Sequence, residues 1–258
     1  MDEADRMKID ERIKYEFRGA LVIARKDMRI YYLKAPVIIF GIVFPCFLFL
    51  AFALGRNIPH RFLAPGMIGM SLFFTASSVG PIIIPWETRA KTLERLLSCP
   101  ISIQSTLIGD IIAGALFGVA ISLVAFLLGV VGLGANVLNI YVLISSILIS
   151  ACCFATLGIL ISAPPTDNPS NVMMLSNLVR LPLIFISGIF IPVEKLPSAG
   201  RIIALLSPLT YTTDLLRHSL QGLNYYPIGL DFVMLFVFMG IFLILGIKFH
   251  RMSLPKRI

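Results

Sequence analysis

Few residues in this chain could do chemistry, and most of its charges gather outside its apolar runs. Between two such runs stands Trp86 to Ile101, WETRAKTLERLLSCPI. In helical register Glu87, Lys91, Glu94 and Arg95 fall on or near one polar side, with Leu93, Leu96 and Leu97 towards the membrane body. A turn between spans needs only a few residues, so this segment is suited to touching a partner outside the membrane. Glu87 or Glu94 would pair with a basic group there. Arg180 is the second candidate. It lies nine residues past Asn171, near the middle of an apolar run. A charge at that depth costs at least about 2.5–3.5 kcal/mol, so it must face a partner, a cavity or another subunit. Asn177, three residues earlier, shares its face. Arg180 is either a structural tie to Asn177 or backbone carbonyls, or a contact for substrate or a second subunit.

Other chemistry is missing. The chain has no Gly-Lys dipeptide and so no G-x-x-x-x-G-K-[ST] loop to cradle nucleotide phosphates. Alone it is expected to hydrolyse no ATP. There is no H-E-x-x-H, and His60, His218 and His250 are far apart. A metal site needs converging ligands, so no metal and no cofactor is expected on this chain. No Ser/His/Asp arrangement supports an intramembrane hydrolase. Cys46, Cys152 and Cys153 fall inside apolar runs and read as small hydrophobes, with Cys99 alone in a loop. Asp110, Asp231 and Lys248 lie near span ends, where interface placement makes a charge cheap. An ion-coupled secondary transporter would carry several mid-span charges, and a single arginine without an acidic partner argues against that class.

The elements that must position these residues are membrane helices. The chain of 258 residues is 57% hydrophobic and 14% charged, against about 25% charged in soluble domains. Its mean hydropathy is +0.90. Six apolar runs, 36–54, 62–85, 106–133, 138–163, 172–191 and 228–249, can each cross a hydrocarbon core of about 30 Å. Lipid leaves open strand edges unsatisfied, so the fold is all-α. The net charge of +8 then reads as an excess of Lys and Arg on cytoplasmic loops, and not as a sign of nucleic acid. Sixteen basic residues fall on the side of the termini and five on the other, which puts both termini in the cytoplasm. The acidic, core-less start MDEADRMKIDERIKYEF is not expected to be a cleavable signal.

Before the first run, Ile13, Phe17, Leu21, Ala24, Met28 and Tyr31 recur at spacings of four and three, beside a basic face of Lys14, Arg18, Arg25 and Arg29. This predicts an amphipathic helix over 10–35 in the cytoplasmic membrane interface. It would anchor to anionic lipid, dock a partner, or both. On the outer side, Pro192, Pro197 and Pro208 divide the segment 192–226 into short pieces. These are expected to dip into the outer leaflet or cap the bundle. Gly114 and Gly118 form a G-x-x-x-G that permits close helix contact.

Two stretches resemble one family. The first holds Glu87, Thr92-Leu93-Glu94, Leu96 and Pro100-Ile101. The second holds Pro182, Ser187-Gly188, Phe190, Pro192, Leu196-Pro197, Ser207-Pro208-Leu209-Thr210-Tyr211, Asp214 and Arg217. Together with the layout of the whole chain they resemble the membrane subunit of type-2 ATP-binding-cassette exporters, the group holding drug, lipid and polysaccharide export permeases. The chain departs from that pattern at Lys91, where the family often has Gly, and at Asp110, where a basic residue often follows Gly. The resemblance implies a permease half paired with a second permease chain, a homodimer being the simplest pair. Two cytoplasmic ABC ATPase subunits would carry the ATP and Mg. Contact with them would run through loop 86–101 and through Phe17 and Arg18 of the interfacial helix. Asn177, Arg180 and Ser187 would line the pathway or the dimer interface, and Pro192, Pro197, Pro208 and Tyr211 the outer gate. Apolar spans with so few polar residues lean towards an amphipathic drug-like or lipidic cargo over long sugar chains. The alternatives are a polysaccharide or glycolipid exporter, an ATP-independent transporter or channel, and a membrane-embedded enzyme or scaffold.

Overall fold

The computed structural model describes residues 3–30, 39, 43–45, 47, 63–99, 101–132, 134–190 and 192–256. The expected first span, 36–54, falls almost wholly outside the described residues, as do Cys46 and His60. The described α-helices are α1 (Glu3–Ile30), α2 (Leu63–Ala76), α3 (Val79–Arg89), α4 (Thr92–Leu97), α5 (Ile103–Leu127), α6 (Ile140–Ile161), α7 (Pro169–Ile186), α8 (Ser198–Ala204), α9 (Pro208–Gln221) and α10 (Ile228–Ser253). No strand occurs among them, and five are long and apolar enough to cross a membrane, counting α2 and α3 together. The protein is an all-α integral membrane protein.

The span formed by α2 and α3 is the axis of the molecule. It is apolar all round, and all of α2 except Met67 is buried, as expected of a helix with no face left for water or lipid. Helices α5, α6 and α9 wrap it. Phe73 meets Phe154 of α6 edge to face at 4.9 Å between ring centroids. The G-x-x-x-G is used inside the chain. A Cβ on Gly118 would stand 2.7 Å from the Cβ of Ala76, and one on Gly114 would stand 3.0 Å from the Ala76 carbonyl. Small residues here let α5 lie backbone-close on α2.

The spans depart from their expected bounds. The second continues past 85 to Arg89, so the segment 86–101 is not one helix. It is the end of α3, a turn, and the six-residue α4. The third runs from Ile103 through a π-turn at Leu128–Gly132. The fifth is Pro169–Ile186, set by Asn168, whose side chain accepts from the Ser170 amide, and by Pro169 in the first turn. Ser187 therefore lies just beyond its end.

On the side away from the termini, Pro192 precedes a 3-10 turn at Val193–Lys195, Pro197 caps α8 and Pro208 opens α9. Helix α9 enters the bundle. Its Thr212 hydroxyl bonds that of Ser150 at 2.8 Å, ten residues or about 15 Å along α6 from Ile140. At its other end the Ser219 carbonyl accepts from the amides of Leu138 and Asn139.

Candidate functional site: a charged junction beneath the spans

The side chains picked out by sequence gather at three levels. The lowest is where α1, α3 and α5 meet. α1 runs alongside α5, and its contact face is Ala20, Ile23, Ala24 and Asp27, all buried. A Cβ on Gly109 would stand 2.7 Å from the Ala20 carbonyl, so the two backbones touch there. That register turns Lys26 towards α3, where its ammonium donates to Glu87 Oε1 and lies 3.0 Å from Asp27 Oδ1. Asp110 of α5 is buried in the same cluster, its carboxyl beside that of Asp27. Glu87 and Asp27 thus share one ammonium. Burial opposes the charge of Lys26, and Glu87 and Asp27 outweigh it, so its pKa stands above the ordinary lysine value. A second tie lies about three turns earlier on α1. Glu16 Oε2 accepts from the Ser102 hydroxyl at 2.7 Å and from that of Ser105. Ser102 itself caps α5, accepting from the Ser105 amide at 3.2 Å.

This corrects the expected polar side of loop 86–101. Glu87 is 2% exposed and turned inward to Lys26, because it belongs to the end of α3. Lys91 and Arg95 are exposed, Glu94 is half-buried, and Leu93 packs inward. Cys99 is exposed, Cys152 half-buried and Cys153 buried. On α1, Phe17 and Arg18 are exposed beside the Glu16 tie. Asp110 does not lie in the interface as its place near a span end suggested: α1 covers it. Asp231, likewise expected at an edge, is fully buried in the first turn of α10. His250 bonds the Ile159 carbonyl at 2.9 Å and the Ser162 hydroxyl at 3.3 Å, pinning α10 to the end of α6.

The middle level is the break in the axis. Ser77 and Ser78 bond back to the carbonyls of Phe73 and Phe74, a pattern that bends helices. Pro81, four residues after Ser77, has no N–H to give the Ser77 carbonyl. Arg180 supplies the missing donor. Its guanidinium donates to Ser77 O and, at 3.2 Å, to Ser78 Oγ, and lies 6.0 Å from the Phe74 ring centroid. The residue is 1% exposed. Gly158 makes the close approach possible, since a Cβ there would stand 2.5 Å from the same carbonyl. Asn177 is not its partner. Asn177 is half-buried on α7, and Ser187 is buried with its hydroxyl on the Ile184 carbonyl at 2.7 Å. The hydrogen bonds of Arg180 among the described residues thus involve neither Asn177 nor Ser187.

The upper level is the segment 192–226. Arg217 donates to the Gly188 carbonyl at 2.5 Å, and Tyr211 to the Leu205 carbonyl at 2.9 Å. Asp214 accepts from the amides of Tyr225 and Tyr226 at 2.9 and 2.8 Å. Burial pushes the Asp214 carboxyl up, and these amides hold it back. Pro208 and Tyr211 are buried, Pro192 is half-buried and Pro197 is exposed.

A family profile described as ABC-2 type transporter matches residues 20–220. The chain belongs to that family. This ABC-2 permease is 30% identical over 169 residues to Nodulation protein J of Rhizobium leguminosarum bv. viciae, covering 62% of each chain. It is 27% identical over 175 residues to Nodulation protein J of Rhizobium meliloti (strain 1021), covering 66% of this chain and 64% of that one. It is 22% identical over 184 residues to the inner membrane transport permease YadH of Escherichia coli (strain K12), covering 70% and 71%. The match to the Nodulation protein J chains thus spans less than two thirds of their length.

In this ABC-2 permease Lys91 carries the strain of the turn into α4. It is the non-glycine residue with positive φ, at 54°, among the described residues. The left-handed region costs an L-residue about 1–2 kcal/mol, which is why glycine suits the position. Lys91→Gly is expected to raise the melting temperature of the purified chain, and an unchanged or lower value would show that the turn is not strained. Sequence reading missed Pro81 and Asp27. The first was visible as a proline inside a span, and the second as the acid in phase with Ala20, Ile23 and Ala24.

Proposed function

We propose that the chain is the permease half of an ATP-driven exporter, and that helix α4 is its coupling element. The observation that carries this reading is the turn into α4, where Lys91 and Arg95 are exposed while the Thr92 hydroxyl bonds the Glu87 carbonyl at 3.3 Å and the Glu87 side chain is held by Lys26 of α1. A force on Lys91, Glu94 or Arg95 would pass to α3 and, through the Lys26–Glu87 pair, to α1, which is packed along α5. Two cytoplasmic ATPases, holding the ATP and Mg, would supply that force, with Phe17 and Arg18 adding to their contact. A second copy would complete the transport path. Met174, Leu178 and Phe185 leave α7 an apolar face exposed by half or more, which suits that partner or lipid. The re-entrant segment with Pro192, Pro197, Pro208 and Tyr211 would close the path outside. An amphipathic drug-like or lipidic cargo fits spans this apolar.

The test is export by whole cells and binding of the cognate ATPase to membranes. Glu94→Arg and Arg95→Glu are expected to lower both at least ten-fold at unchanged membrane yield, through like-charge contacts. Full export by both variants would refute the coupling role, and export by the purified chain without an ATPase would favour a secondary transporter. The topology has its own check. Cys99 is expected to react with a membrane-impermeant maleimide only after permeabilisation, and labelling in intact cells would invert the orientation.

A further inference from the structure

The open groove between α1 and α5 is not used by any of these roles. It has a volume of about 530 Å³, with a floor of Leu21, Met28, Ile112 and Leu116 and two basic residues, Arg25 and Arg29, on its wall. The arginines are one turn apart on α1, exposed, and outside the salt bridges formed among the described residues. Charge on this helix is sorted by face. Over residues 14–30 its acids are Glu16 and Asp27, and both turn inward, to Ser102 and Ser105 and to the Lys26 cluster. The outer face keeps only cations. Leu21, Met28 and Leu116 are 45%, 39% and 51% exposed, so the floor is apolar and open.

The groove also lies at the right depth. The span Ile103–Val131 has 29 residues, or about 43 Å, against a hydrocarbon core of about 30 Å. Measured back from Val131, the core ends near Ile112. Leu116 then meets the first methylenes of the acyl chains. α1 runs beside α5 with Ala20 at Gly109, so Arg25 stands near the boundary at Ile112 and Arg29 about one turn inside it, where its long side chain can reach back to a headgroup. The axis span gives the same boundary, since 27 residues from Leu63 to Arg89 leave Glu87 below the core.

We propose that this groove is a binding site for an anionic phospholipid of the leaflet on the α1 side. The phosphate is held between Arg25 and Arg29, and an acyl chain lies along Ile112 and Leu116. Two guanidiniums one turn apart suit a phosphate by charge-assisted hydrogen bonds, and basic pockets between helices at this level take lipid headgroups. A zwitterionic lipid offers the same chain but no net charge.

The test is native mass spectrometry of the full chain, purified in detergent and given equimolar phosphatidylglycerol and phosphatidylcholine. The expected result is at least a ten-fold preference for phosphatidylglycerol. Arg25→Gln with Arg29→Gln should abolish the preference, while Lys14→Gln with Arg18→Gln should leave it. Leu116→Trp, which fills the floor and keeps the charges, should lower retention of phosphatidylglycerol. Equal retention of the two lipids by the parent, or a preference that survives both the double arginine variant and Leu116→Trp, would overturn the proposal. So would competition by millimolar inorganic phosphate, which would make this a bare anion site. Displacement of the lipid by the cognate ATPase would assign the groove to that subunit and overturn it too.

Discussion

Arg180→Leu is expected to destabilise the purified chain by about 1–3 kcal/mol, the cost of one orphaned buried acceptor, and to abolish export. Removing a central charge favours membrane insertion, so yield alone could rise. The folded bundle nonetheless loses the donor that satisfies Ser77 O beside Pro81, in a layer without water. The decisive variant is Pro81→Ala in the Arg180→Leu background. Alanine returns an N–H to position 81, in register for the Ser77 carbonyl, and should restore most of the lost stability. Equal melting temperatures for parent and Arg180→Leu would sink this account. Loss of stability without rescue by Pro81→Ala would show that the Ser78 and Phe74 contacts matter more than the carbonyl.

Lys26→Glu should be the most damaging single change at the junction. It removes the one ammonium among Asp27, Glu87 and Asp110 and adds a fourth carboxyl. Removing one partner of a buried pair costs about 3–5 kcal/mol, and the partial exposure of Lys26 places this case at the lower end. Export should vanish, and α1 should become accessible to protease. Glu87→Lys alone should be milder, because Asp27 and Asp110 remain for two cations. The exchange Lys26→Glu with Glu87→Lys keeps one cation between α1 and α3 and should recover stability over Lys26→Glu. A charge-reversed pair no better than the single variant would mean that Lys26 serves Asp27 or Asp110 and not Glu87.

The comparison of sequence and structure turns on what kind of signal each feature leaves. The five spans among the described residues, the all-α class and the short helices within 192–226 are legible in the sequence, because lipid allows so few backbone solutions. Arg180 stood out for the same reason: a charge in hydrocarbon must be satisfied. Its partner did not stand out, since Ser77 is about a hundred residues away and its need comes from Pro81. Glu87 was misread because local register cannot tell that α3 continues to Arg89 and that Lys91, not Trp86, is the break. Asp110 was misread because nearness to a span end suggests solvent, and only the packing of α1 along α5 covers it. Composition and local pattern are thus enough for a bundle of membrane helices, the family and the costly residues. The tertiary structure alone decided which carbonyl Arg180 satisfies, which cation holds Glu87, and which face of α1 stays open. The physical reason is that insertion into lipid is set by each segment's own composition, whereas satisfying a buried polar group depends on what other segments bring within about 3 Å.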